Sequence, residues 1–124
     1  MTTFLVDTNI LIRFVTNDNP VLTDEAEKIL EKNYCIITSP VFAEIIFVLT
    51  SFYEYSKKDV KQLIKFFNAE NIRIEEREIN LNALKIYCDS NLQYIDSWLT
   101  AKSLSTGLKI QTFDKKLLKY IAQN

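Results

Sequence analysis

Four acidic side chains in this sequence stand in company that acids are rarely given. Asp7 follows Phe4-Leu5-Val6, and Asp114 follows Thr112-Phe113. Glu44 lies inside the run from Val41 to Leu49, and Asp96 inside Tyr94-Ile95-Asp96-Ser97-Trp98-Leu99. Most of the other acids keep polar neighbours, as in Asp24-Glu25-Ala26-Glu27, and read as solvated faces. An isolated carboxylate among apolar groups is strongly disfavoured unless it is paired, protonated or bound to a cation. Glu44 is the sharpest case. On a helix its same-face neighbours are Val41, Phe47 and Val48, and no Lys or Arg occurs from Ser39 through Ser56. Four converging carboxylates repel one another unless cations sit between them, and hard oxygen ligands select Mg2+ or Mn2+ over zinc or copper. Such an ion suits phosphoester chemistry, because it activates a water, polarises the phosphate and stabilises the leaving oxygen.

Composition removes most other chemistries. Gly107 is the only glycine, which excludes the Gly-rich loops that cradle nucleotide phosphates. There is no histidine, hence no Ser-His-Asp arrangement and no ordinary zinc site. The net charge of −1 supplies no global field for nucleic acid, so any such contact must be local. Lys57, Lys58, Lys61 and Lys65 share one expected helix, and Lys115, Lys116 and Lys119 flank Asp114. The second group is the better candidate for phosphate contact. Thr8 and Asn9 either orient Asp7 or satisfy free N–H groups at a helix start. Thr112 either holds Asp114 or a phosphate, or is a plain strand residue. Arg13 is within reach of a phosphate or is solvated. Asp7, Asp96 and Asp114 also stand where helix N-caps would, so capping is an alternative for each.

The elements that must position these groups alternate between strand and helix. Strands are expected at Thr3 to Val6, Tyr34 to Ile37, Ile72 to Glu75 and Lys109 to Thr112. Helices are expected from Thr8 to Val15 and from Val21 to Lys32, the latter with Pro20 in its first turn. A third runs from Val41 to Phe52, with Ser39 as cap and Pro40 at the first helical position. It is apolar nearly all round and expected to be buried. A fourth starts at Ser56, where Asp59 completes a capping-box pattern, and runs to about residue 69. Three more follow: Asn80 to Ser90, Asp96 to Ser105 stopped by Gly107, and Lys115 to Ala122. This alternation implies an α/β domain spanning 1–124, with a parallel sheet covered on both faces. Asp7 and Asp114 then close strands, Glu44 lies a turn into the helix after the second strand, and Asp96 opens a helix. All four can reach the C-terminal edge of such a sheet. The start of the chain shows no basic leader, and its longest strictly apolar run, Ile45 to Leu49, is far too short to span a bilayer. Cys35 and Cys88 read as reduced core residues, so a cytoplasmic protein is expected.

Taken together, Asp7-Thr8-Asn9-Ile10-Leu11, Pro40 with Phe42-Ala43-Glu44, Tyr94-Ile95-Asp96 and Thr112-Phe113-Asp114-Lys115 resemble the PIN domain. The resemblance is closest to the single-domain VapC-like toxins of type II toxin–antitoxin pairs. It implies a three-layer α/β/α fold with a short parallel sheet of four to five strands flanked by helices. It also implies a Mg2+- or Mn2+-dependent ribonuclease that leaves a 5′-phosphate and a 3′-hydroxyl. Homodimerisation and a cognate antitoxin covering the site follow from the same likeness. Carried over by position, Asp7, Glu44 and Asp96 form the main acidic cluster and Asp114 is the fourth, peripheral acid. Thr8, Asn9 and Thr112 are supporting. Two other readings compete. A phospho-acceptor signalling domain has similar length and alternation, but carries adjacent acids after its first strand and a Lys after its last. Here Thr8 follows Asp7, and the expected last strand runs into Thr112-Phe113-Asp114. A non-catalytic interaction module of PIN-like fold is the third reading, against which the intact acids weigh.

Overall fold

Short β-prone runs at Thr3–Leu5 (β1), Tyr34–Ile37 (β2) and Ile72–Ile74 (β3) pair as a parallel sheet in the order β1-β2-β3. This is a computed structural model, and it describes residues 2–124. Two compact units are distinguished, one through Glu76 and one from Arg77 to Asn124. The mixed α/β character and the parallel sheet are as expected. The sheet has three strands among the described residues, not four or five.

In the first unit Thr3 lies opposite Tyr34, and Cys35 opposite Ile72. Parallel neighbours require crossovers, which are usually helical. Helices α1 (Thr8–Thr16) and α2 (Pro20–Lys32) connect β1 to β2. Helices α3 (Ser39–Ser51) and α4 (Lys57–Ile64), then a 3-10 turn at Lys65–Phe67, connect β2 to β3. Local start signals explain these bounds. Pro20 occupies the first turn of α2, and the Asn19 side chain accepts from the Leu22 N–H at 3.2 Å. Ser56 and Asp59 form a reciprocal capping box, each side chain accepting from the other's N–H at 3.1 Å. Ser56→Ala is therefore expected to cost about 1 kcal/mol, read as a shift of the urea midpoint. Ser39, by contrast, is not the cap of α3. Thr38 takes that place, and the Ser39 hydroxyl donates instead to the Glu76 carboxylate at 2.9 Å.

The core of this unit is built on α3. Phe42, Ile45, Ile46 and Leu49 are buried and recur at helical spacing, so they form one stripe. The opposite side of α3 is open, with Phe47 60% exposed, so a helix apolar all round is buried on one face only. The opening run is likewise less buried than its composition suggests. Val6 is buried, but Phe4 and Leu5 on the edge strand β1 are exposed.

The second unit is helical: α5 (Arg77–Asp89), α6 (Tyr94–Thr106) and α7 (Lys115–Gln123). Helices α5 and α6 pack together. The buried Tyr94 hydroxyl donates to Asn80 Oδ1 at 2.8 Å, and the Tyr87 and Tyr94 rings meet edge to face at 6.0 Å. Burial pushes the Tyr94 phenol far above its ordinary range, so it stays a neutral donor. Gly107 closes α6 at φ 77°, a left-handed conformation that glycine adopts without a Cβ penalty. Lys109 to Thr112, expected as a fourth strand, is irregular. A strand exists only through its partner. These residues join no ladder among the described residues, and Lys109 and Gln111 point to an exposed segment. No helix among the described residues is long and apolar enough to cross a membrane.

Candidate functional site

Asp7 lies just past the end of β1 because the apolar run stops there and α1 begins. It is the N-cap of α1, and its Oδ1 accepts from the Thr8 N–H at 2.7 Å. Capping uses one carboxylate oxygen of an exposed side chain, so the cap role does not exhaust the group. Thr8 is 3% exposed, and its Oγ1 has no hydrogen-bond partner among the described residues. A buried hydroxyl left without a partner is costly. Asn9 is exposed. Arg13 is committed elsewhere: its Nη1 donates to Asp18 at 3.0 Å. The same carboxylate accepts from the Tyr53 hydroxyl at 3.0 Å and from Thr16 at 3.1 Å. Burial pushes the Asp18 carboxyl up, but these hydrogen bonds outweigh it and hold the group below the usual carboxylate range.

Glu44 is in the second turn of α3, after β2, and is exposed. The expectation of an acid trapped among apolar groups therefore fails. The reason is the stripe at Phe42, Ile45, Ile46 and Leu49, which turns Glu44 and Phe47 outward together. Glu44 needs no distant donor to be tolerated. Its availability as a ligand rests on its accessibility rather than on burial.

In the second unit Asp96 is half-buried at the third position of α6, whose cap is Gln93. Asp96 is not an N-cap, because the helix starts two residues earlier than the sequence pattern suggests. Asp114 is the N-cap of α7, with Oδ1 accepting from the Leu117 N–H at 2.9 Å. Thr112 supports it through the backbone: the Asp114 N–H donates to the Thr112 hydroxyl at 3.0 Å. Asp96 and Asp114 line one cavity of about 340 Å3 with Asn91, Leu92, Gln93, Lys115 and Lys116. Burial, and then the charge of Asp114, raise the Asp96 carboxyl above the ordinary aspartate value. The structure thus brings Asp96 and Asp114 together, while Asp7 and Glu44 belong to the first unit. Asn91 and Gln93 were not among the sequence candidates. The signal was available in the polar Asn91 and Gln93 that bracket Leu92 just before the helix of Asp96.

No three Cys, Asp or Glu side chains among the described residues are grouped so as to hold a metal ion. The donor chemistry nonetheless fits a hard divalent cation. Asp96, whose carboxyl is raised by burial and then by the charge of Asp114, shares a small open cavity with that second carboxylate, and a cation between the two relieves the repulsion.

No match was found among curated proteins or among solved structures. A family model does match, and it runs from residue 4 to residue 122, through both units and through all four acids. With that span of the sequence accounted for, the chain belongs to the PIN domain family.

Proposed function

We propose that this protein is a Mg2+- or Mn2+-dependent ribonuclease that hydrolyses RNA phosphodiester bonds, and that it is the toxin of a toxin–antitoxin pair. PIN domains are generally nucleases that use divalent metals. The observation that carries the reading is the Asp96–Asp114 pair at one open cavity, within a PIN match that covers nearly the whole chain. In this reading residues 4–122 work as one catalytic domain. Asp7 and Asp96 are the main metal ligands, Glu44 completes the cluster and Asp114 is peripheral. Thr8, Asn9 and Thr112 support them, Thr112 by fixing the Asp114 backbone. The cation supplies activation of a water and charge stabilisation at the phosphate. The protein's own part is to hold the acids in place. The cap bond from Thr8 N–H fixes Asp7, and that from Leu117 N–H fixes Asp114. The chain has no histidine to serve as the base for a cyclic phosphate, which suits products bearing a 5′-phosphate and a 3′-hydroxyl. A homodimer, a cognate antitoxin over the site and a cytoplasmic setting follow from the VapC-like resemblance, and the free thiols Cys35 and Cys88 are compatible with that setting.

The test is cleavage of a structured RNA pool by the purified protein with Mn2+ or with EDTA. Cleavage with Mn2+ and none with EDTA is the expected result. If no RNA is cut and isothermal titration finds no Mn2+ binding, the non-catalytic interaction module replaces the nuclease.

A further inference from the structure

Beside the acid pair lies a second cavity of about 420 Å3, lined by Asn91, Lys115, Lys116, Lys119, Tyr120 and Gln123. It shares Asn91, Lys115 and Lys116 with the cavity that Asp96 and Asp114 line. Its lining holds three cations and no acid. Lys115 and Lys119 are one helical turn apart on α7, so their ammonium groups serve one face. None of the three lysines forms an ion pair among the described residues, whereas Lys28 is held by Asp24 at 3.0 Å. In a chain of net charge −1 this is a local concentration of uncommitted positive charge directly beside two carboxylates.

From this juxtaposition we propose that the lysine face of α7 is an RNA subsite, holding the phosphates next to the one at Asp96 and Asp114. The inference rests on the ribonuclease reading and adds where the substrate's backbone lies. The occupant must tolerate both neighbouring fields. An acidic protein segment would satisfy the lysines but be repelled by the acid pair. A polyphosphate backbone suits both, because its scissile phosphate meets the carboxylates through a bridging cation while the adjoining phosphates meet the lysines. The remaining lining chemistry agrees: Tyr120 offers an aromatic ring on which a base can stack, and the Asn91 and Gln123 amides offer donors and acceptors for a single strand.

The test is fluorescence anisotropy of the full chain with a fluorescein-labelled single-stranded RNA of mixed sequence, in EDTA, across a salt titration. Each phosphate neutralised on a single strand contributes roughly 0.7 to the slope of log affinity against log salt. The triple variant Lys115→Gln, Lys116→Gln, Lys119→Gln is expected to flatten that slope by about 2 and to weaken binding at least ~10-fold at low salt. The charge-matched control, Lys58→Gln and Lys61→Gln on α4 with Lys65→Gln in the 3-10 turn that follows it, is expected to leave the slope as it is. Lys119 does not line the acid cavity, so Lys119→Glu alone reports on the subsite without touching that pair, and it too should flatten the slope. An unchanged slope in the α7 variants, or an equal loss in the α4 control, overturns the subsite. The binding comparison is made without metal. Failure of the unsubstituted protein to cut RNA with Mn2+ would therefore count against the nuclease reading separately, leaving the slope to decide the subsite.

Discussion

Asp7→Asn and Asp96→Asn should each lower metal-dependent RNA cleavage by ~10²-fold or more while leaving the protein folded. The two substitutions remove charge and little else. Asparagine keeps an Oδ1 that can accept from the Thr8 N–H, and it caps helices about as well as aspartate, so α1 should start where it does now. Asp96 sits in the first turn of α6 without capping it, and its charge there is opposed by that of Asp114. Its loss should cost at most a few tenths of a kcal/mol of helix-dipole interaction, about the size of an ordinary surface effect. What disappears in each case is an anionic oxygen able to hold a divalent cation. Initial rates with Mn2+, beside thermal midpoints by circular dichroism, separate the two quantities. Wild-type-like cleavage in both variants would remove the site assignment. The pair also asks whether the two units serve one reaction, because Asp7 belongs to the first and Asp96 to the second. Loss in both ties them to one active site, whereas loss in Asp96→Asn alone would confine the chemistry to residues 77–124.

What the sequence made legible is what neighbouring residues decide among themselves. The Ser56–Asp59 capping box, Pro20 in the first turn of α2 and Gly107 at the end of α6 all depend on side chains and backbone a few positions apart. What it left illegible depends on distant partners. Lys109 to Thr112 has the composition of a strand, but pairing is supplied by another strand, and none adjoins it among the described residues. Ser39 has the composition of a cap, but Glu76, far along the chain, takes its hydroxyl, and Thr38 becomes the cap. Glu44 shows the same limit at the candidate site. Its neighbours in sequence are apolar, but which side of α3 is buried is fixed by what packs on it. Asp96 and Asp114 were legible as residue types, whereas their shared cavity with Asn91 and Gln93 was not.

The core of the first unit should be far less forgiving than its acids, and Phe42→Ala is the sharpest probe of it. Phe42 is fully buried at the start of the stripe that continues through Ile45, Ile46 and Leu49, on a helix that packs against α1 and α4. Truncating such a ring removes its transfer free energy and leaves a cavity that the surroundings fill only in part, a cost of about 3–5 kcal/mol. That is a large share of the roughly 5–15 kcal/mol by which small domains are stable. Phe47→Ala, one turn and a half further on, should cost less than about 0.5 kcal/mol, because its ring is exposed and meets Phe52 edge-on at 6.2 Å on the open side of the helix. Urea unfolding of the two variants, with matched slopes, measures the difference. The contrast reaches the site through α1, which packs on α3 and is capped by Asp7. Phe42→Ala should lose cleavage only as temperature or urea unfolds it, whereas Asp7→Asn should lose it under every condition. Equal costs for the two phenylalanines would mean that α3 is buried on both faces, and Glu44, which shares the face of Phe47, would return to the interior as an acid in need of a cation.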